Sequence, residues 1–194
     1  YVRNVLIERV HVHHNQGSGI TFRYAHKITV RYSESHDHID FHGIGSKDCF
    51  PDYAEISDLV ECREEAGDTA PGALWTEDYA VYSNRLYNNG DYGMNFHASK
   101  GEIAGNISEN NKYGSKFPDA SRLWIHSNRF RNNDRWGLYM YNTLDEVTRV
   151  AGNSVIYLNE FSNNGNYPLR VHAPAHNVLA IDNLYSNNEL NELR

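Results

Sequence analysis

The sequence has no basic excess: 18 lysines and arginines stand against 25 acids, for a net charge of −7. Non-specific nucleic-acid binding needs a basic face and is excluded by this balance. A strongly anionic partner is disfavoured as well, unless the site itself is locally basic. No apolar run reaches 18 residues and no signal-peptide pattern is present, so no segment reads as a membrane-spanning helix. Helical periodicity is missing throughout, which removes the helical solenoids from consideration. Methionine and cysteine are scarce, at two each. Cys49 and Cys62 flank an insertion, where they form either a disulfide pinning that loop or two free thiols; alone they make no zinc site.

What is present is a repeat. Residues 81–89 (VYSNRLYNN), 103–111 (IAGNISENN) and 125–133 (IHSNRFRNN) are copies of one phrase, 22 residues apart. A glycine and a short apolar-x-apolar strand follow each copy, at Gly93–Phe96, Gly114–Phe117 and Gly137–Met140. A fixed period of short alternating strands and turn residues marks a coiled strand, the parallel β-helix, whose units bury their faces against neighbours. Asn84, Asn106, Asn128, Asn159 and Asn183 fall in one column, and Asn15, Asn89, Asn111, Asn133, Asn164 and Asn188 in another. Stacked at roughly 4.8 Å per rung, such side chains can bond the amides above and below as an asparagine ladder. Asparagine also tolerates the left-handed backbone of a sharp corner. Asn106-Ile-Ser matches a glycosylation acceptor, but its place in the column makes it structural.

We therefore expect an all-β fold: one parallel β-helix domain over residues 1–194, of about seven to eight coils. The first two coils begin at Val5 and Val30, the second closing through Ile39-Asp40-Phe41-His42. An irregular third coil spans Ile56–Val60 and a strand near Ala73–Thr76, and the regular phrases, a coil from Ile156 and a partial one from Ala180 follow. Excursion loops are expected near 43–54 and 142–152, rising from one edge to wall a groove; simple loop variation is the other reading. The chain starts inside a repeat, so we expect a fragment of a longer protein, or an end covered by another chain through end-to-end or trimeric self-association.

Strand alternation separates core from face. With Phe22, Phe41, Trp75, Phe96, Phe117, Met140 and Val171 inward, one outward column is Thr21, Asp40, Leu74, Asn95, Lys116, Tyr139 and Arg170. The next is Arg23, His42, Thr76, His97, Pro118, Tyr141 and His172. Histidines, tyrosines, a lysine and an arginine gathered on one face can abstract a proton, relay one and grip a carboxylate. An inert solvated face remains the alternative. Trp75 and Trp136 lie near the groove edge, where an indole can stack on a sugar ring or pack in the core.

Other clusters carry weaker signals. His11, His13 and His14 crowd the first coil, and His36, Asp37 and His38 the corner of the second; His13 should stack on His36, and His14 on Asp37. Imidazole and carboxylate suit zinc or similar ions, but the spacing matches no closed structural motif, so no metal ligand is assigned. The acidic insertion with Glu61, Glu64, Glu65 and Asp68 can bind Ca2+ or be a solvated charged loop; calcium is the only cofactor considered.

The repeat N-x-I/F-x-N-N-x-x-x-G-apolar-x-apolar, as in Asn128–Met140, resembles the right-handed parallel β-helix superfamily of pectate lyases, alginate lyases and mannuronan epimerases. The resemblance covers nearly the whole chain and is specific for fold, since the same coils build lyases, epimerases, hydrolases, tailspikes and adhesins. Asp40-Phe41-His42 resembles the catalytic Asp-Pro-His motif of mannuronan epimerases, with Phe41 in place of proline and the expected upstream tyrosine absent. Lys116 resembles the Brønsted lysine of some lyases of this fold. The resemblance implies an extracellular or cell-surface, carbohydrate-active protein acting on an acidic polysaccharide by β-elimination. Arg170 or His172 would neutralise the carboxylate, Lys116 or His97 would remove the proton, and Tyr139 would protonate the leaving oxygen, while Asp40, His42, Asn95, Tyr141 and Trp136 bind. A C5-epimerase, a glycoside hydrolase pairing Asp40 with Glu77 or Asp119, and a non-catalytic carbohydrate-binding module are the rivals.

Overall fold

A computed structural model of the chain describes residues 2–22, 25–46, 76–141, 151–172 and 175–190. The chain winds through seven rungs of short strands. The first holds β1 (Val2–Glu8), β2 (His11–His13) and β3 (Ile20–Phe22), and the second β4 (Ala25–Arg31), β5 (Glu34–His36) and β6 (Ile44–Ser46). The third is β7 (Glu77–Tyr82), β8 (Arg85–Tyr87) and β9 (Tyr92–Phe96); the fourth is β10 (Ser99–Ala104), β11 (Ile107–Glu109) and β12 (Tyr113–Pro118). β13 (Leu123–His126), β14 (Arg129–Arg131) and β15 (Leu138–Tyr141) make the fifth, and β16 (Gly152–Tyr157), β17 (Glu160–Ser162) and β18 (Leu169–Val171) the sixth. The last contributes β19 (His176–Ile181) and β20 (Leu184–Ser186). The first, second and third strands of successive rungs pair in parallel, giving three sheets of seven, seven and six strands.

Inward side chains stack into columns between the sheets. Val30, Val81, Ile103, Ile125 and Ile156 are fully buried in the first sheet, Leu86, Phe130 and Phe161 in the second, and Ile44, Met94, Phe96, Phe117, Leu138 and Met140 in the third. Phe130 stacks on Phe161 at 5.1 Å and Phe96 on Phe117 at 6.1 Å. Burial of each such side chain contributes roughly 1.5–3 kcal/mol.

The corners are where the repeat's asparagines act. Each Asn-Asn pair divides its labour: Asn88, Asn110, Asn132 and Asn163 take the left-handed backbone, with φ of 54°, and the next asparagine turns inward. Asn89, Asn111, Asn133, Asn164 and Asn188 then bond in series, as do Asn84, Asn106, Asn128, Asn159 and Asn183 at the other corner. Asn106 uses its whole amide. Its Oδ1 accepts from the Asn84 backbone N–H (2.9 Å) and from Asn84 Nδ2 (3.0 Å), and its Nδ2 donates to Val81 O (2.8 Å) and Asn128 Oδ1 (3.0 Å). In the second rung Ser33 and His38 stand in for asparagine. The buried His38 accepts from the Asn15 N–H through Nδ1 and meets Ser35 Oγ through Nε2. Burial lowers its pKa, holding the imidazole neutral.

The glycine that closes each repeat is required by the rung above. A Cβ on Gly114 would collide with Gly137 O, and one on Gly137 with Pro168 O. Ser35 Oγ donates to Gly43 O as Ser108 Oγ donates to Gly114 O, so Gly43 is the second rung's repeat glycine. This corrects the expected register. Ile44, not Phe41, fills the core; Phe41 and Ile39 are 45% and 63% exposed, and Asp40 sits in an exposed turn outside the strands. Thr76 is buried and accepts from the Ala25 N–H beside the first sheet, off the expected face, Pro118 is buried, and Val171 is only partly so.

The irregular third coil is also corrected. β4 pairs directly with β7, β5 with β8 and β6 with β9, so no rung intervenes and seven rungs result. Residues 56–60, Leu74, Trp75, both cysteines and the acidic insertion lie outside the described residues, as does Arg23. So do the expected excursions, apart from Gly43–Ser46, which is largely strand, and the 151–152 end of the second.

Two stability outcomes follow. Asn106→Leu strands the Asn84 donors and the Val81 carbonyl in a site with no solvent access. Each orphaned buried group costs about 1–3 kcal/mol, so urea unfolding should show a loss of about 3 kcal/mol or more; a loss below about 1 kcal/mol would refute the ladder's role. Leu158 holds φ of 53° at an exposed corner, a conformation that disfavours a branched side chain. Leu158→Asn should raise stability on the order of 0.5–1 kcal/mol in the same assay.

Candidate functional site

The third sheet presents the candidate face. Alternation in β12 and β15 sends Ser115, Phe117, Leu138 and Met140 inward and leaves Lys116, Tyr139 and Tyr141 partly exposed. Register then aligns the outward residues: Gly45 beside Asn95, Asn95 beside Lys116, Lys116 beside Tyr139, and Tyr139 beside Arg170. Neighbouring strands lie about 4.8 Å apart, so Lys116, Tyr139 and Arg170 form a contiguous row across three rungs.

Beside this row runs an aromatic column at the position preceding each repeat glycine. His42 lies 5.3 Å from Tyr92, Tyr92 4.8 Å from Tyr113, and Tyr113 4.8 Å from Trp136 between ring centroids. Trp136 meets Tyr139 at 4.5 Å, and Tyr139 stacks on Tyr141 at 4.5 Å. The two cations rest on these rings. Lys116 Nζ lies 5.1 Å from the Tyr92 centroid and 5.4 Å from that of Tyr141, and the Arg170 guanidinium contacts Tyr139, Trp136 and Tyr167 at 5.1–5.7 Å. Cation–π contact of this kind holds a long flexible side chain against the surface. The sequence reading caught Trp136 and missed Tyr92, Tyr113 and Tyr167, although each stands immediately before a glycine or proline of the repeat.

His42 reaches the face by a different route from the one expected. It lies in the turn before Gly43, and its Nε2 accepts from Asn95 Nδ2 at 2.9 Å while Nδ1 faces Asp91 Oδ2 at 3.5 Å. Asp91 was not anticipated from sequence. Burial pushes its carboxyl pKa up, Lys112 and Lys116 draw it back down, and Asp40 pushes it up again. Burial also raises Tyr139, with Arg170 opposing, so its phenol keeps its proton at neutral pH.

The structure thus brings together Lys116, Tyr139, Arg170, Asn95, Tyr141 and Trp136, with His42 joined through Asn95. Asp40 touches the group only through its charge. His97 follows β9 directly, half-buried before the turn into β10, and His172 is exposed just past β18 with its N–H bonded to Met140 O. Asp119 is buried, and Glu77 pairs with Lys100 at 2.6 Å in the first sheet, away from the third-sheet face. Among the described residues, the one group of three metal-capable side chains within reach of one another lies on the second sheet instead, at His11, Glu34 and His36.

Known structures share this architecture. The periplasmic alginate epimerase AlgG superimposes with a TM-score of 0.72 at 14% identity, over 94% of this chain and 40% of that one. The A-module of the Azotobacter vinelandii mannuronan C-5 epimerase AlgE4 gives 0.63 at 14% identity, over 97% and 56%. XylC, solved in complex with xylose, gives 0.65 at 14% identity, over 95% and 36%. At such identities the likeness is one of fold, and the chain spans only part of each neighbour. A comparison with curated proteins gives no match. A family model described as a right-handed beta helix region matches residues 1–150 and again 70–192, between them nearly every rung described above, and the chain belongs to that right-handed β-helix family.

Proposed function

We propose that the third-sheet face binds a uronate-containing polysaccharide and cleaves it by β-elimination. The observation that carries this reading is the contiguous row Lys116–Tyr139–Arg170 set beside an aromatic column. Aromatic rings stack on sugar rings through their apolar faces, and a guanidinium grips a carboxylate with two hydrogen bonds. Arg170 pairs with the uronate carboxylate, which acidifies the proton at C5. Lys116, as the free amine, takes that proton. The electron pair forms the C4–C5 double bond as the C4–O bond breaks, and Tyr139, which holds its proton because it is buried, protonates the departing oxygen. Asn95, His42, Tyr141 and Trp136 orient the sugars. His97 is the alternative base, and His172, exposed at the edge, a second carboxylate contact. The names of AlgG and AlgE4 point to alginate and mannuronan, which supports a uronate substrate met in a periplasmic, extracellular or cell-surface setting.

Epimerisation at C5 is the second reading, favoured by those same names and by the shared first step of proton removal. The test is absorbance of the unsaturated uronate during incubation with a panel of polyuronates, run beside proton NMR of C5 exchange in deuterium oxide. The expected outcome is a rising absorbance that Lys116→Ala reduces by about 100-fold or more, with unchanged circular dichroism. Exchange without absorbance would replace lyase by epimerase. Binding with neither signal would make the face a non-catalytic module.

A further inference from the structure

The second sheet carries a histidine cluster that the proposed function does not use. β2 and β5 pair so that His11 lies beside Glu34 and His13 beside His36, on the side of the sheet opposite the inward Ser35, with His36 covered by its neighbours. His11 Nε2 and His36 Nε2 approach to 2.6 Å, and Glu34 Oε2 lies 3.9 Å from His11 Nε2. Two imidazole nitrogens at that distance share one proton, since facing lone pairs repel and two facing N–H groups clash.

The His36 ring is fixed in place. It is stacked between His13 (5.3 Å, 14°) and Tyr87 (4.3 Å, 11°) and is 8% exposed. Its Nδ1 donates to Asp37 Oδ2 at 2.6 Å. A neutral imidazole whose Nδ1–H is held by a carboxylate presents Nε2 as a lone pair, and this carboxylate–histidine arrangement is the one that orients metal ligands. The lone pair points at His11. Arg85 on the next rung, which would otherwise compete for Glu34, is engaged with Glu109 at 2.8 Å.

We propose that His11 Nε2, His36 Nε2 and the Glu34 carboxylate bind a borderline divalent transition-metal ion, of the class of Zn2+ or Co2+, with Asp37 as the positioning residue. Two imidazoles and one carboxylate suit that class and leave a fourth position open to water. Ligand atoms around a tetrahedral zinc stand about 3.3 Å apart, given bonds of about 2.0–2.1 Å. The three donor atoms here lie within 4.8 Å of one another, and the exposed His11 and Glu34 side chains (57% and 46%) are free to adjust toward the fixed His36. The ion bridges the first two rungs. His38, although beside the cluster in sequence, is turned into the corner ladder and takes no part.

The experiment is titration of the tag-free protein with ZnCl2 by calorimetry, and with CoCl2 by its visible absorption. One equivalent should bind, with a tetrahedral cobalt spectrum and a rise in Tm. His11→Ala and Glu34→Gln, both at exposed positions, should each weaken binding at least 10-fold. Asp37→Asn, which removes no ligand, should weaken it 10- to 100-fold. His126→Ala, at the His126–Glu102 pair on the first sheet, should leave it unchanged. Absence of stoichiometric uptake would overturn the proposal, as would binding that survives both His11→Ala and Glu34→Gln.

Discussion

The stacking of identical amides at the corners is the constraint on which this solenoid depends. A parallel strand can be continued by any sequence with the right alternation, but a sharp corner buries backbone groups that the sheets cannot reach. An asparagine has two donors and two acceptor positions, and in Asn106 all four are used, three toward the rung of Val81 and Asn84 and one toward that of Asn128. Each ladder residue therefore satisfies its neighbours' corners as well as its own, which fixes the vertical alignment of rungs. Once that alignment holds, equal positions in every rung fall into columns, and core, glycine contacts and candidate face are all columns of this kind.

This explains why so much of the fold is readable in the sequence. The 22-residue spacing of Asn84, Asn106 and Asn128 is the ladder, and the alternation after each glycine is the third sheet. The second rung is harder to read because His38 and Ser33 perform the asparagine's task with different atoms. Gly43 follows His38 by five residues where Gly93 follows Asn89 by four, and the extra residue let Ile39-Asp40-Phe41-His42 imitate an apolar-x-apolar strand. The local resemblance of Asp40-Phe41-His42 to a catalytic strand motif fails for that reason: those residues form the turn before the strand. The direct pairing of β4 with β7 could not be foreseen from alternation in residues 56–60, since alternation does not say which strand is the neighbour.

The face itself was partly legible. Lys116 and Tyr139 follow from counting two residues beyond each repeat glycine, and Arg170 from the same count beyond Pro168, which takes the glycine's place. The aromatic column was not found because its members sit before the glycine, where strand logic expects a loop. Strand pairing sets Tyr113 beside Tyr92, and ring stacking between rungs carries the line on to Trp136. His42 shows the same point from the other side: it joins the site through Asn95 and Asp91, contacts between rungs that alternation within a strand cannot disclose.

For the proposed anionic ligand, the acidic balance of the chain is an obstacle that the local geometry offsets. The net charge of −7 repels a polyanion at long range, but the Debye length is about 8 Å at physiological ionic strength, so distant acids are largely screened at the point of contact. A carboxylate on this face would meet Arg170 and Lys116, each lying on aromatic rings. Asp91, an acid within electrostatic reach of Lys116, is one whose raised pKa marks a disfavoured charge, already countered by Lys112 and Lys116. The local field is therefore cationic although the molecule is anionic. Columns make this separation possible: a solenoid can spend its acids on the other two sheets, as with Glu102 and Glu109, and reserve one surface for the opposite sign.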